Sequence, residues 1–263
     1  MYKMKISRLL AAAALLVAAG SMAADTPKVI AHRGYWKAEG SAQNSIRSIV
    51  KADSINCYAS EFDVWMTADS VLVVNHDPDI NGVHIESSPA SRVLAEKLSN
   101  GEQVPTLEAY LATASHLPSR IVCEMKRHDS RSHEKAAVKA ILALVKKYGL
   151  QDKVDYITFS SDGFKNFIRY APKGTGVYYL DGDYVPAQIK QMGGTGIDYA
   201  MKVIRKHPEW IKECHDLGLL VNVWTVNSEA DMKWCIDHSV DFITTNEPER
   251  LQSLLKSRAK KQK

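Results

Sequence analysis

The sequence predicts an α/β protein: a single (β/α)8 barrel of the TIM type, with a small lobe inserted after the second strand. Three observations predict it. Beyond the first two dozen residues, eight short β-rich runs alternate with longer helical patterns. No Pro/Gly/Ser-rich linker divides the 263 residues into two domains, and a barrel commonly occupies about 250 residues as one unit. Polar residues capable of chemistry stand at the ends of several different strands. A doubly wound open sheet, the alternative architecture, gathers its ligand at one switch point.

Taken in order, the strand candidates are Lys28 to Ala31, Tyr58 to Val64, Arg120 to Met125, Val154 to Phe159, Gly176 to Leu180, Ile197 to Met201, Leu219 to Thr225 and Asp241 to Thr244. Helices are expected after them, among them Asn44 to Ser54, Arg131 to Tyr148, Pro208 to Leu217, Ser228 to Asp237 and Pro248 to Lys256. Ser228 with Glu229 and Asp231 forms an N-cap with acid in the first turn, and Gly149 and Gly218 stand where C-terminal glycines belong. One stretch breaks the rhythm. Val71 to Asn75 reads as an extra strand hairpinned to the second, and 77–104, rich in Asn, Ser, Gly and Pro, as the inserted lobe. The basic end, Lys256 to Lys263, reads as a solvated helix end.

Residues 1–23 carry Lys3, Lys5 and Arg8, an apolar run from Leu9 to Ala19, and Ser21-Met22-Ala23, the pattern of a secretory signal. The run is little more than half the roughly 20 residues that an anchor needs. No cysteine at the cleavage site offers a lipid, so the expectation is a single domain over 24–263, without a stable membrane anchor, in the periplasm or outside the cell. Loss of the signal's three basic residues lowers the formal charge from +4 to +1, which calls for no nucleic-acid partner. Oligomeric state leaves no mark. With 45% hydrophobic and 24% charged residues, collagen-like, disordered and disulfide-scaffold classes are excluded. Cys57, Cys123, Cys214 and Cys235 are too widely spaced for a CxxC zinc or redox motif; buried free thiols are expected, with one long-range disulfide as the alternative.

The chemistry gathers at strand ends. The first strand closes on His32-Arg33-Gly34, which a barrel places on its catalytic face. In the second, alternation puts Glu61 and Asp63 on one face, with Phe62, Val64 and Trp65 supplying apolar surface for the other. Adjacent carboxylates repel, and inside a barrel mouth a cation compensates them; hard oxygen donors select Mg²⁺, Ca²⁺ or Mn²⁺ over zinc. An edge strand with both acids in solvent is the competing arrangement. Glu124 and Lys126 repeat the device in the third strand, as a third ligand beside a cation or as an internal ion pair. After the apolar Val73-Val74 comes His76. Two histidines, three carboxylates and two cations suit phosphoryl transfer, with one imidazole taking a proton from the nucleophile and the other giving one to the leaving oxygen. His84, His116, His128, His133, His207, His215 and His238 lack that strand-end context and read as surface or structural.

These residues resemble the glycerophosphodiester phosphodiesterase family over the whole mature chain. The marks are His32-Arg33-Gly34, Glu61-x-Asp63-Val64, Thr67-x-Asp69 to His76-Asp77, Pro105-Thr106-Leu107, Glu124-x-Lys126, Val223-Trp224-Thr225-Val226-Asn227 and Asp241 to Pro248. The resemblance implies a (β/α)8 barrel with a small lobe, and Glu61, Asp63 and Glu124 as ligands of one divalent metal ion, Mg²⁺ or Ca²⁺. It implies His32 and His76 as the general acid/base pair, Arg33 and Lys126 as phosphodiester contacts, and Trp224 as a pocket wall. The implied reaction is hydrolysis of a small glycerophosphodiester to sn-glycerol 3-phosphate and an alcohol. One departure stands out: where the family commonly has Glu-Asn-Thr, this chain has Gln43-Asn44-Ser45. A carboxylate that only orients Arg33 can be replaced by an amide; one that supports the metal cannot be without loss of affinity. Two other readings are a phospholipase D of the sphingomyelinase type, whose third ligand is usually an aspartate, and a non-catalytic binder of polyol phosphates.

Overall fold

The computed structural model describes residues 26–261, so the expected signal segment lies outside the described residues. Among the described residues there are eleven strands: β1 (Lys28–Ala31), β2 (Ala59–Met66), β3 (Leu72–Val74), β4 (Asp79–Ile80), β5 (Val83–His84), β6 (Arg120–Met125), β7 (Val154–Thr158), β8 (Gly176–Tyr179), β9 (Gly196–Ala200), β10 (Leu220–Trp224) and β11 (Phe242–Thr245). Eight of them pair in parallel in the order β1-β11-β10-β9-β8-β7-β6-β2, and β1 also pairs with β2. That last pairing closes the barrel and excludes the open sheet. Each of the eight expected strands is found, with ends within two residues.

The ring of helices follows from local signals. Ser45, Thr106, Ser130, Ser160 and Ser228 cap α1 (Ile46–Ser54), α3 (Leu107–Ala114), α4 (Arg131–Lys147), α5 (Ser161–Tyr170) and α9 (Glu229–Asp237), each oxygen accepting from a backbone N–H of the first turn. Gly149 follows α4 at φ +67° and Gly218 follows α8 (Glu209–Asp216) at φ +68°, the left-handed ends expected of them. α1 begins two residues later than the pattern suggested, because Asn44 holds φ +61° and spends its side chain elsewhere. The last helix runs from Pro248 to Lys261, and its Lys256–Lys260 stretch is exposed.

Alternation sorts each strand. Val29, Phe62, Cys123, Tyr156, Ile197, Val221 and Ile243 face the helices in one large core, while Ile30, Val122, Ile157, Tyr178 and Phe242 fill the barrel. β3 pairs antiparallel with β2 as expected, through Val64↔Val74 and Met66↔Leu72. The insertion contains the β4–β5 hairpin and one helical turn, α2 (Ala90–Val93), around a small cluster of Val73, Ile80, Val83, Ile85, Val93 and Val104. Trp65 belongs to this cluster, which corrects the expectation that it shares a side with Phe62 and Val64. Its strand parity is that of Glu61 and Asp63, and beyond the barrel rim the lobe is what covers that face. All four cysteines are buried and free, so no disulfide bridges them.

Candidate active site

The first barrel loop is built for a close approach. Gly34, at φ +75°, sits so near α1 that a Cβ there would lie 2.2 Å from Ser48 Oγ and 2.7 Å from the Ser48 carbonyl carbon. This crowding, with Arg33 itself at φ +56°, turns the Arg33 N–H onto Glu61 Oε2 at 2.8 Å. The guanidinium then donates to Gln43 Oε1 at 2.5 Å and lies 3.6 Å from Asp63 Oδ2. Gln43 therefore meets Arg33, the orienting role in which an amide can replace a carboxylate.

Glu61, Asp63 and Glu124 come from neighbouring strands, since Asp63 is in register with Glu124. Carboxylate oxygens from the three lie within 4.8 Å of one another, at residue exposures of 2%, 1% and 7%. Asn44 clamps Asp63 twice, donating to Oδ2 at 2.8 Å and accepting from its backbone N–H at 3.2 Å. Lys126 Nζ lies 3.2 Å from Asp63 Oδ1 and 2.7 Å from Glu124 Oε1. The internal ion pair and the carboxylate cluster are thus both present. Glu61 Oε1 is buried without a hydrogen-bond partner.

The electrostatics divide the three acids. Burial, with the charges of Asp63 and Glu124, holds Glu61 well above the usual carboxylate range, and burial with Asp63 pushes Glu124 up to about 8. For Asp63 burial acts in the same sense but is outweighed by Lys126, His76, Arg33 and the Asn44 hydrogen bond, which hold it below its ordinary value. Burial would lower Lys126, yet Asp63 and Glu124 raise it. Three carboxylates with one orphaned oxygen and two members reluctant to ionise are a set that a divalent cation would complete. Hard oxygens alone fit Mg²⁺ or Ca²⁺.

Both histidines open onto the same cleft, which is lined by His32, Arg33, Glu61, His76 and Glu124 on one side and by Phe159, Leu180, Asp198 and Trp224 on the other. His32 Nδ1 lies 2.9 Å from Asn246 Oδ1, an oxygen that also accepts from the Trp36 indole N–H at 3.0 Å. An indole can only donate, so the Asn246 atom is an acceptor and His32 carries its proton on Nδ1, leaving Nε2 as a base. Burial, then Arg33, pushes His32 down to about 4, and burial lowers His76. His76 Nδ1 lies 2.6 Å from Asp77 Oδ1, and its backbone carbonyl accepts from Trp65 Nε1 at 3.2 Å. Trp224 forms a wall, edge-on to Phe159 with centroids 5.6 Å apart.

All eight candidate residues are thus brought to one barrel mouth. His128 is buried under the lobe, where Nε2 accepts from Met66 N at 3.0 Å, a structural place. The sequence reading missed Asn44 as the clamp on Asp63, Asn246 as the partner of His32, and Asp198. The first two lie inside motifs already singled out, but their partners are 19 and 214 residues away, which no local pattern reports.

A model of the glycerophosphoryl diester phosphodiesterase family matches residues 32–250. The chain belongs to that family. A glycerophosphodiester phosphodiesterase of Caldanaerobacter subterraneus subsp. tengcongensis is 27% identical over 246 residues, spanning 87% of this chain and 97% of the relative. The crystal structure of a glycerophosphodiester phosphodiesterase from Parabacteroides distasonis superposes with a TM-score of 0.88 at 50% identity, covering 89% of this chain and 99% of that one. An Oleispira antarctica phosphodiesterase, solved in complex with sn-glycerol-3-phosphate, shares the fold at a TM-score of 0.75 and 18% identity, over 87% of this chain and 96% of that one. The protein is accordingly an enzyme, and its reaction is the hydrolysis of glycerophosphodiesters.

Proposed function

We propose that hydrolysis here is metal-dependent and runs through His32 and His76, with Glu61, Asp63 and Glu124 as the ligands of one divalent ion, Mg²⁺ or Ca²⁺. The observation that carries this reading is the convergence of three buried carboxylates, one with an orphaned oxygen, beside two cations and two histidines in a single cleft. When bound, the ion supplies charge stabilisation to the phosphoryl oxygens. Arg33 and Lys126, on either side of Asp63, add donors for the same oxygens.

The protein's own groups set the proton path. Asn246 fixes the His32 tautomer, and a buried, neutral imidazole with Nε2 free is a base. It takes the proton of the glycerol hydroxyl next to the phosphoester, which closes a cyclic phosphate. His76, backed by the Asp77 carboxylate, gives a proton to the departing alcohol. Water then opens the ring with the two roles reversed, releasing sn-glycerol 3-phosphate, the molecule bound in the Oleispira antarctica relative. Trp224 and Phe159 exclude water from the far wall. The signal-like residues 1–23 support export to the periplasm or beyond.

The test is release of sn-glycerol 3-phosphate from glycerophosphocholine and glycerophosphoethanolamine by the purified protein in Mg²⁺, in Ca²⁺ and in EDTA. Release in a divalent ion and none in EDTA is expected. Equal release in EDTA would refute metal dependence. Comparable cleavage of bis(p-nitrophenyl) phosphate, which has no neighbouring hydroxyl, would refute the cyclic route.

A further inference from the structure

Opposite the metal ligands the barrel holds an acid that the mechanism above does not use. Around the closed ring, β9 stands four strands from β2, directly across the barrel. Its Asp198 faces inward, is only 2% exposed, and lines the cleft floor together with Ile157, Leu180, Trp224 and Thr244. The barrel beneath it is mainly apolar, lined by Ile30, Val122, Tyr178 and Phe242, with Asp155 and Asn222 as its other polar members. Asp198 Oδ1 has no hydrogen-bond partner and, among the described residues, Asp198 forms no ion pair; Arg33, which lines the same cleft, is held by Gln43 and Asp63. Beside it, Asn222 and Thr244 satisfy each other through bonds of 2.8 and 3.2 Å. The Trp224 indole N–H is committed to the Asp198 backbone carbonyl at 2.9 Å, which fixes the ring against the acid's own strand.

A buried carboxylate oxygen without a partner is costly, and such groups are retained where a ligand completes them. The ligand's chemistry follows from the surroundings. Burial pushes Asp198 up to about 7, with the neighbouring Asn222 amide opposing this only weakly, so the floor favours a neutral hydrogen-bonding guest over a strong positive charge. A phosphate held at the β2–β6 wall directs the rest of the diester across the cleft toward β9, past the apolar sides of Phe159, Leu180 and Trp224. That path suits a short CH-rich chain ending in a hydroxyl. We propose that Asp198 binds the terminal hydroxyl of the substrate's glycerol and so makes the enzyme specific for glycerol-bearing diesters. The proposal rests on the phosphodiesterase reading above and extends it to recognition of the glycerol.

The experiment compares glycerophosphocholine with propane-1,2-diol phosphocholine, which keeps the hydroxyl next to the phosphoester and lacks the terminal one. For the purified wild-type protein, kcat/KM is expected to favour glycerophosphocholine by about 100-fold. Asp198→Leu should bring that ratio near one, while Asp198→Asn, which keeps an acceptor of the same size, should keep part of it. A structural role would change folding and leave the ratio alone. Thermal melting of both variants makes that distinction, and Asp198→Asn preserves the test should the leucine variant fail to fold. An unchanged ratio in a folded Asp198→Leu protein would overturn the proposal. So would a loss seen with glycerophosphocholine and absent with glycerophosphoglycerol, which would make the floor a site for a cationic alcohol. Calorimetric binding of sn-glycerol 3-phosphate against propane-1,2-diol phosphate reads the same contact without turnover. It separates failure of this inference from failure of the phosphodiesterase reading.

Discussion

The two walls of the barrel mouth solve the problem of buried acid in opposite ways. On the β2–β6 wall, Asp63 is buried among Lys126, Arg33 and Asn44 and stays ionised below its ordinary range. On the β9 wall, Asp198 is as deeply buried, has no cation, and is pushed up to about 7. The same carboxylate chemistry thus gives a charged, cation-rich wall, the one proposed for the phosphoryl group, and an apolar wall with one hydrogen-bonding oxygen, the one proposed for the glycerol. Glu61 and Glu124 share the charged wall yet are pushed up as Asp198 is: burial disfavours their charged forms, and the repulsion among three acids within 4.8 Å exceeds what Arg33 and Lys126 offset.

The largest effects should come from the charged wall. His32→Ala should lower kcat by about 10² to 10⁴, the usual contribution of a positioned general base, with little change in folding; steady-state rates with glycerophosphocholine check this. Asn246→Leu should cost less, about 10- to 100-fold in kcat, because His32 keeps its ring and loses only the acceptor that fixes its tautomer. The sign of that comparison is informative: an Asn246 variant as impaired as His32→Ala would mean that Asn246 touches substrate.

A pH experiment sharpens the contrast further. Glu124 has its folded pKa raised to about 8, so the stability it contributes is present at low pH and is lost as pH rises through that value. His32, shifted down to about 4, acts in the other direction and only below its unfolded value near 6.5. Between pH 6.5 and 8 the acids dominate, and Glu124 alone should cost the EDTA-treated protein about 2 kcal/mol of stability. Saturating Mg²⁺ or Ca²⁺ should flatten that decline, since bound carboxylates are ionised throughout. Melting temperatures across the range, with and without the ion, provide the check. The smallest effect is expected for Gln43→Glu. It converts a neutral contact to Arg33 into an ion pair and touches none of the three acids, so kcat/KM should move by less than about fivefold and metal affinity not at all.

Much of this arrangement was legible from local patterns. The period-two alternation that puts Glu61 and Asp63 on one face also puts Phe62 and Val64 on the other, and it locates eight strands because barrel strands are short and uniformly two-sided. Ser228 as a cap and Gly149 and Gly218 as trailing glycines placed the ends of three helices for the same reason. What escaped the sequence is non-local. Trp65 obeys alternation, but its cover comes from the inserted lobe, whose packing no periodicity reveals. Asn44 and Asn246 acquire their meaning from Asp63 and His32, which only closure of the ring brings to them. Asp198 sat inside an expected strand as one polar residue among apolar ones, and only the closed barrel shows that it stands across from the three clustered carboxylates with one oxygen unpartnered.

The most direct test of the central claim is calorimetric titration of the EDTA-stripped protein with Mg²⁺ and with Ca²⁺. One ion per chain should bind, binding should disappear in Glu61→Gln and in Glu124→Gln, and it should persist in Asp198→Asn across the barrel. Binding that survives both glutamate substitutions, or no binding of either ion to the folded wild-type protein, would contradict the account.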